Sequence, residues 1–158
     1  MTLPPTASLS DPRHHDRVRR RTAGGINDRI DRKMQHRLDD LVGGDRESII
    51  ARIRKLDREW DIERALMVHF ATVGAFAFGQ SQRFKTPNAW TGVFAAQLGF
   101  LFMHATFGWC PPLPVFRRLG FRTAKEIAAE RQALVKQLDD DAATGPIPDR
   151  EAEWLREE

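Results

Sequence analysis

Cysteine is almost missing from this 158-residue chain, where Cys110 stands alone. One thiol cannot build an intramolecular disulfide framework or a multi-cysteine zinc site. A large charge excess is missing too: 25 basic residues meet 22 acidic ones, a formal net charge of +3. The pI near 9.5 overstates that margin. Nucleic-acid binders gather a larger basic imbalance on one face, so no nucleic-acid partner is expected. There is no phosphate-binding glycine loop, paired-cysteine motif or nucleophile elbow. Without one of these, no enzymatic activity is expected and no catalytic, cofactor-binding or metal residue is assigned. No apolar run precedes residue 60, so no secretory signal is read.

What is present is unevenly placed. Mean hydropathy is −0.49, which normally marks a polar chain. Residues 1–64 carry 15 basic and 12 acidic groups, whereas the 18 residues 65–82 carry none. Arg83 and Lys85 follow, and the 31 residues 86–116 are again uncharged. Uncharged, mostly apolar runs of about 18 residues reach the length of a membrane span. Two in tandem predict a transmembrane helical hairpin, with spans over about 65–84 and 88–109. Thr86 is expected to cap the second span with Pro87 at its first position, and the prolines after Cys110 end it. Trp60, Trp90 and Trp109 sit where an interfacial aromatic belt would fall. Basic residues crowd both flanks: Arg52, Arg54, Lys55, Arg58 and Arg64 before, and Arg117, Arg118, Arg122, Lys125 and Arg131 after. The positive-inside rule then places both termini in the cytoplasm, for a multi-pass protein of the cell inner membrane. The competing reading is a buried helical hairpin in a soluble all-α protein, which a chain this short could hide only by oligomerising.

The flanks read as helices and tails. Residues 1–25, rich in Pro, Ser, Thr, Gly and Arg, are expected to be disordered. Their cluster Arg17, Arg19, Arg20 and Arg21 is either solvated or in contact with anionic headgroups. Ile26, Ile30, Met34, Leu38 and Leu41 recur at helical spacing over 26–41, and Gly43-Gly44 breaks the run. Asp45 then caps a second helix with Ile49, Ile53, Leu56 and Trp60 on one face. These stripes pack on each other, on a partner chain or on a membrane surface. Thr123 and Glu126 form a capping box opening a helix to about Leu138, where Asp139, Asp140 and Asp141 mark the end. The last residues read as a turn and a short acidic helix. The resulting division is a basic tail (1–25), amphipathic cytoplasmic helices (26–63), a transmembrane hairpin (64–122) and a cytoplasmic helix with acidic tail (123–158).

Within the hairpin a few residues carry possible chemistry. Ala71, Ala75 and Gly79, then Gly92 and Ala96, then Ala95 and Gly99, lie four apart, the spacing that lets helices approach closely. They either close the hairpin or pair two copies. His69 and His104 fall at the same depth of an antiparallel hairpin and can face each other. They serve as a metal or haem ligand pair, a proton relay, or an interhelical hydrogen bond, with Gln97 and Thr72 as further polar glue. Cys110 at the helix exit is an accessible thiol for persulfide or mixed-disulfide chemistry, or a small turn residue. Arg117 and Arg118 are expected at the headgroups.

The stretch Gly108-Trp-Cys110-Pro-Pro-Leu-Pro-Val-Phe-Arg-Arg-Leu119-Gly120-Phe, after two short spans, resembles the YgaP-like transmembrane domain. That family is a small two-helix membrane module with a Gly-x-Cys-Pro signature and a Leu-Gly turn, found alone or fused to a rhodanese sulfurtransferase domain. The resemblance covers about residues 60–123 and makes Gly108, Cys110, Pro111, Leu119 and Gly120 the signature positions. It implies an inner-membrane hairpin that dimerises through its spans, with no settled activity. The extra N-terminal helices, the capped C-terminal helix and the missing rhodanese domain leave sulfurtransferase activity untransferred. The sequence therefore predicts an all-α, non-enzymatic anchor or interaction module. Its partners are the lipid bilayer and a second copy. The alternative is a thiol, persulfide-relay or metal protein using Cys110 with His69 and His104.

Overall fold

The computed structural model describes residues 16–84 and 87–144, and among them the chain is all-helical with no β-strand. Seven helices follow in order: α1 (Arg17–Arg21), α2 (Gly24–Leu41), α3 (Arg46–Leu56), α4 (Ile62–Ser81), α5 (Ala89–Phe107), α6 (Leu113–Leu119) and α7 (Ala124–Thr144). The α2 stripe buries Ile30, Met34 and Leu38. Gly43, at φ +74°, turns the chain as the Gly-Gly pair implied. Asp45 caps α3 by accepting from the Ser48 N–H. The capping box of α7 forms as read: Thr123 Oγ1 accepts from the Glu126 N–H at 3.2 Å and Glu126 Oε2 accepts from the Thr123 N–H at 2.8 Å.

Two apolar clusters result. Met34 and Leu38 of α2, Ile49 and Leu56 of α3, and Ile127 and Leu134 of α7 make a three-helix core. Val18 of α1, Ile62, Leu66 and Phe70 of α4, and Cys110 and Leu113 around α6 make a second at the base of the α4–α5 hairpin. A backbone hydrogen bond from Ile62 N–H to the Arg122 carbonyl, 2.8 Å, ties the entry of α4 to the strand-like residue before α7.

Several expectations are corrected. No helix among the described residues is long and apolar enough to cross a membrane. The predicted transmembrane spans, and the inner-membrane, multi-pass placement built on them, therefore fail. The physical reason is that absence of charge is not high apolarity. Thr72, Gln80, Ser81, Thr91, Gln97, Thr106 and several glycines dilute the runs, while Glu63 and Arg64 fall inside the first turn of α4. The hairpin itself exists, but α4 ends at Ser81 rather than 84. Asn88, not Thr86, caps α5, in a capping box with Thr91. Thr86 lies outside the described residues, as do 1–15 and 145–158, where most of the expected N-terminal tail and the expected acidic C-terminal helix would fall.

Residues 16–25, expected to be disordered, contain α1, whose Val18 is buried. Trp60 does not extend the α3 stripe: α3 stops at Leu56, and the exposed Trp60 ring instead lies beneath the Arg64 guanidinium, 4.8 Å from the centroid. Finally, α7 runs through Asp139, Asp140 and Asp141 to Thr144, past the expected end. Packing of Leu134 and Leu138 against α2 and α3 outweighs the unfavourable dipole at those acids.

Candidate functional site

At the base of the hairpin, α4 supplies Glu63 in its first turn and α5 supplies His104 in its last. Glu63 Oε2 accepts from His104 Nε2 at 2.8 Å. Gly108 then reverses the chain at φ +69°, with its N–H donating to the His104 carbonyl at 2.8 Å. This returns Cys110 beneath the helices, where it is fully buried. The neighbouring Cys110 side chain and the Glu63 carboxylate raise the His104 pKa to about 9. The imidazole is therefore cationic at neutral pH, and its pairing holds Glu63 below the usual carboxylate range. His104 Nδ1 is buried with no hydrogen-bond partner among the described residues.

α1 closes this corner. Val18 packs in the same cluster as Cys110, and Arg17 Nη1 donates to the Ala105 and Thr106 carbonyls at 3.4 Å. A Cβ on Gly108 would meet Arg17 Cβ at 2.8 Å, so only glycine admits both the left-handed turn and the crossing of α1. The thiol expected to be accessible is instead sealed. His69, expected to face His104, lies edge-on to Phe70 and Phe116, each at 5.6 Å between centroids, and His104 takes Glu63 as its partner. Among the described residues, no group of three or more His, Cys, Asp or Glu could hold a metal ion.

The hairpin wall is a second feature. Ala71, Ala75, Gly79, Gly92, Ala96 and Gly99 are all exposed, and Cβ atoms built on Gly79, Gly92 and Gly99 meet nothing within 4 Å. These small residues do not close the hairpin. Ala71, Gly74 and Ala75 instead line an apolar groove of about 360 Å³ with Met67, Phe94, Leu98 and Leu101 along its other walls. Gln97 also lines it, and its Oε1 is buried without a partner among the described residues. Large apolar side chains project around the groove, with Phe102 69% and Met67 62% exposed.

The third feature escaped the sequence reading. Glu126 and Glu130, one turn apart on α7, are buried and ringed by arginines. Arg117 grips Glu126 through two bonds of 2.7 and 2.8 Å, and Arg19 adds one of 2.6 Å. Glu130 accepts from Arg37, Arg52 and Arg122. Arg122 also holds Glu59 bidentately at 2.7 Å. Burial opposes ionisation of Glu130, but the three guanidiniums overcome it and leave the pKa at about 2. Arg117, placed at a headgroup by the sequence, is thus a buried structural cation. The Thr123–Glu126 box hinted at this network, but no local pattern tied residues 19, 37, 52 and 117 to it.

Comparison with family models, with curated proteins and with solved structures finds no match to the chain. The resemblance to the YgaP-like domain thus rests on the Gly108–Gly120 motif alone.

Proposed function

We propose that this chain is a non-catalytic helical interaction module whose α4–α5 hairpin pairs with a second copy of itself. The observation that carries this reading is the apolar groove between α4 and α5, flanked by large exposed apolar side chains. Eleven large apolar residues between Ile62 and Phe107 are 37–69% exposed. At about 200 Å² per large side chain they present on the order of 1,000 Å². Spread over both helices, that total is on the scale of the ~800 Å² per partner of a stable interface.

Self-pairing is favoured over a foreign partner for two reasons. The groove carries holes (Ala71, Gly74, Ala75) and knobs (Met67, Leu98, Leu101) on the same chain, so a two-fold rotation can seat one set in the other. No ionised side chain lies in 65–82 or 87–116 to select a charged partner.

Substituting Leu98→Glu places a charge on the groove. The variant is expected to sediment as a monomer with unchanged helical circular dichroism, whereas the native chain sediments as a dimer. A native chain that is monomeric without detergent would sink the proposal. So would one that associates only with added vesicles.

A second reading, thiol or persulfide chemistry at Cys110, has the Cys110–His104–Glu63 arrangement in its favour. It requires α1 to move, and the rate of Cys110 alkylation tests that.

A further inference from the structure

On the side of the molecule formed by α2, α3 and α6, a concave pocket of about 290 Å³ opens between the helices. Arg29 and Lys33, one turn apart on α2, and Arg118 on α6 stand at its exposed edge, and none makes an ion pair with a described residue. Deeper in the lining are Arg37, Arg52 and Arg122, already committed to Glu130 and Glu59. Among the described residues of the lining, Glu59 is the one carboxylate, and it is held by Arg122. Arg117 completes the wall, with a side chain that is fully buried. Four of its five N–H donors serve Glu126, Asn27 and the Phe121 carbonyl, whereas its Nε is sealed beneath the wall with no acceptor among the described residues.

A concave site with seven basic side chains in its lining, three of them exposed at its edge, is built for an anion. Counting Glu126 and Glu130 behind the wall, basic groups still outnumber acidic ones seven to three. Arginine forks match the tetrahedral oxygens of phosphate better than a halide. We infer that this pocket binds a small phosphate-bearing anion, gripped at the rim by Arg29, Lys33 and Arg118. The volume lies at the lower end for ligand sites and suits a pyrophosphate or a compact phosphomonoester. A phospholipid headgroup offers the same chemistry. The pocket lies apart from the hairpin groove, so the inference is independent of self-pairing.

Isothermal titration of the full chain with pyrophosphate in about 150 mM NaCl tests it, with flotation on phosphatidylglycerol against phosphatidylcholine vesicles as a second arm. Saturable binding of pyrophosphate, at one per chain, is expected. The triple variant Arg29→Glu, Lys33→Glu, Arg118→Glu is expected to lose at least ten-fold in affinity. Its exposed, unpaired positions allow an unchanged circular dichroism spectrum, which checks folding. Flotation on anionic vesicles that the same triple variant abolishes, without pyrophosphate binding, supports the pocket with a lipid phosphate as the ligand. Absence of binding in both arms overturns the inference, as does equal binding by the charge-reversed variant.

Discussion

Replacing Glu130 with glutamine isolates the energetics of the buried ion network. The side chain keeps its shape but loses the charge that faces Arg37, Arg52 and Arg122. Arg122 retains Glu59, but Arg37 and Arg52 are left with no carboxylate at the centre of the cluster. Glu130 is fully buried, so solvent cannot replace the lost charge. Breaking a buried pair from one side costs about 3–5 kcal/mol, because the orphaned partners keep their desolvation penalty. With a urea slope of about 2 kcal/mol/M, the unfolding midpoint should fall by about 2 M. Circular dichroism at fixed protein concentration reads this directly. A change below about 1 kcal/mol would show that the cluster is solvated and that its arginines do not need Glu130.

Stability should also vary with pH on two sides. Glu130 titrates at about 2 in the fold against 4.5 unfolded, so its contribution is complete above 4.5 and lost as pH falls towards 2. His104 titrates at about 9 against 6.5, so its contribution is complete below 6.5 and lost as pH rises through 9. Urea midpoints should therefore plateau between about pH 4.5 and 6.5, and a maximum at pH 9 would contradict both assignments. Gly108→Ala should strain the left-handed turn by about 1–2 kcal/mol and push α1 off Cys110. Reaction of the native thiol with a disulfide reagent should be slow, and this substitution should speed it at least ten-fold. Equal rates would mean that α1 does not guard the thiol.

The parts of this fold legible in the sequence are those set by local chemistry. The α2 stripe, the Asp45 cap and the Thr123–Glu126 box need only residues within a turn of one another, and each stands where the spacing put it. The hairpin was legible as two helices, but its surroundings were misread. The two uncharged runs leave large apolar side chains exposed on the hairpin, and absence of charge alone does not make a run apolar enough to cross a membrane. The site residues were less legible still. Cys110 and His104 meet only because Gly108 turns the chain, and Glu63, which completes the arrangement, lies 41 positions away. Arg117 and Arg122 looked like flanking surface charge because they meet Glu126 and Glu130, nine and eight residues on, only after the chain turns at Gly120 between α6 and α7. Pairing across a turn leaves no helical spacing to read.

Self-association of the hairpin is the claim on which the functional reading rests, and the mass of the native chain in detergent-free solution tests it most directly. Sedimentation equilibrium should return twice the 18.1 kDa chain mass and a concentration-dependent return to monomer on dilution. A single species at the chain mass across the micromolar range would contradict it.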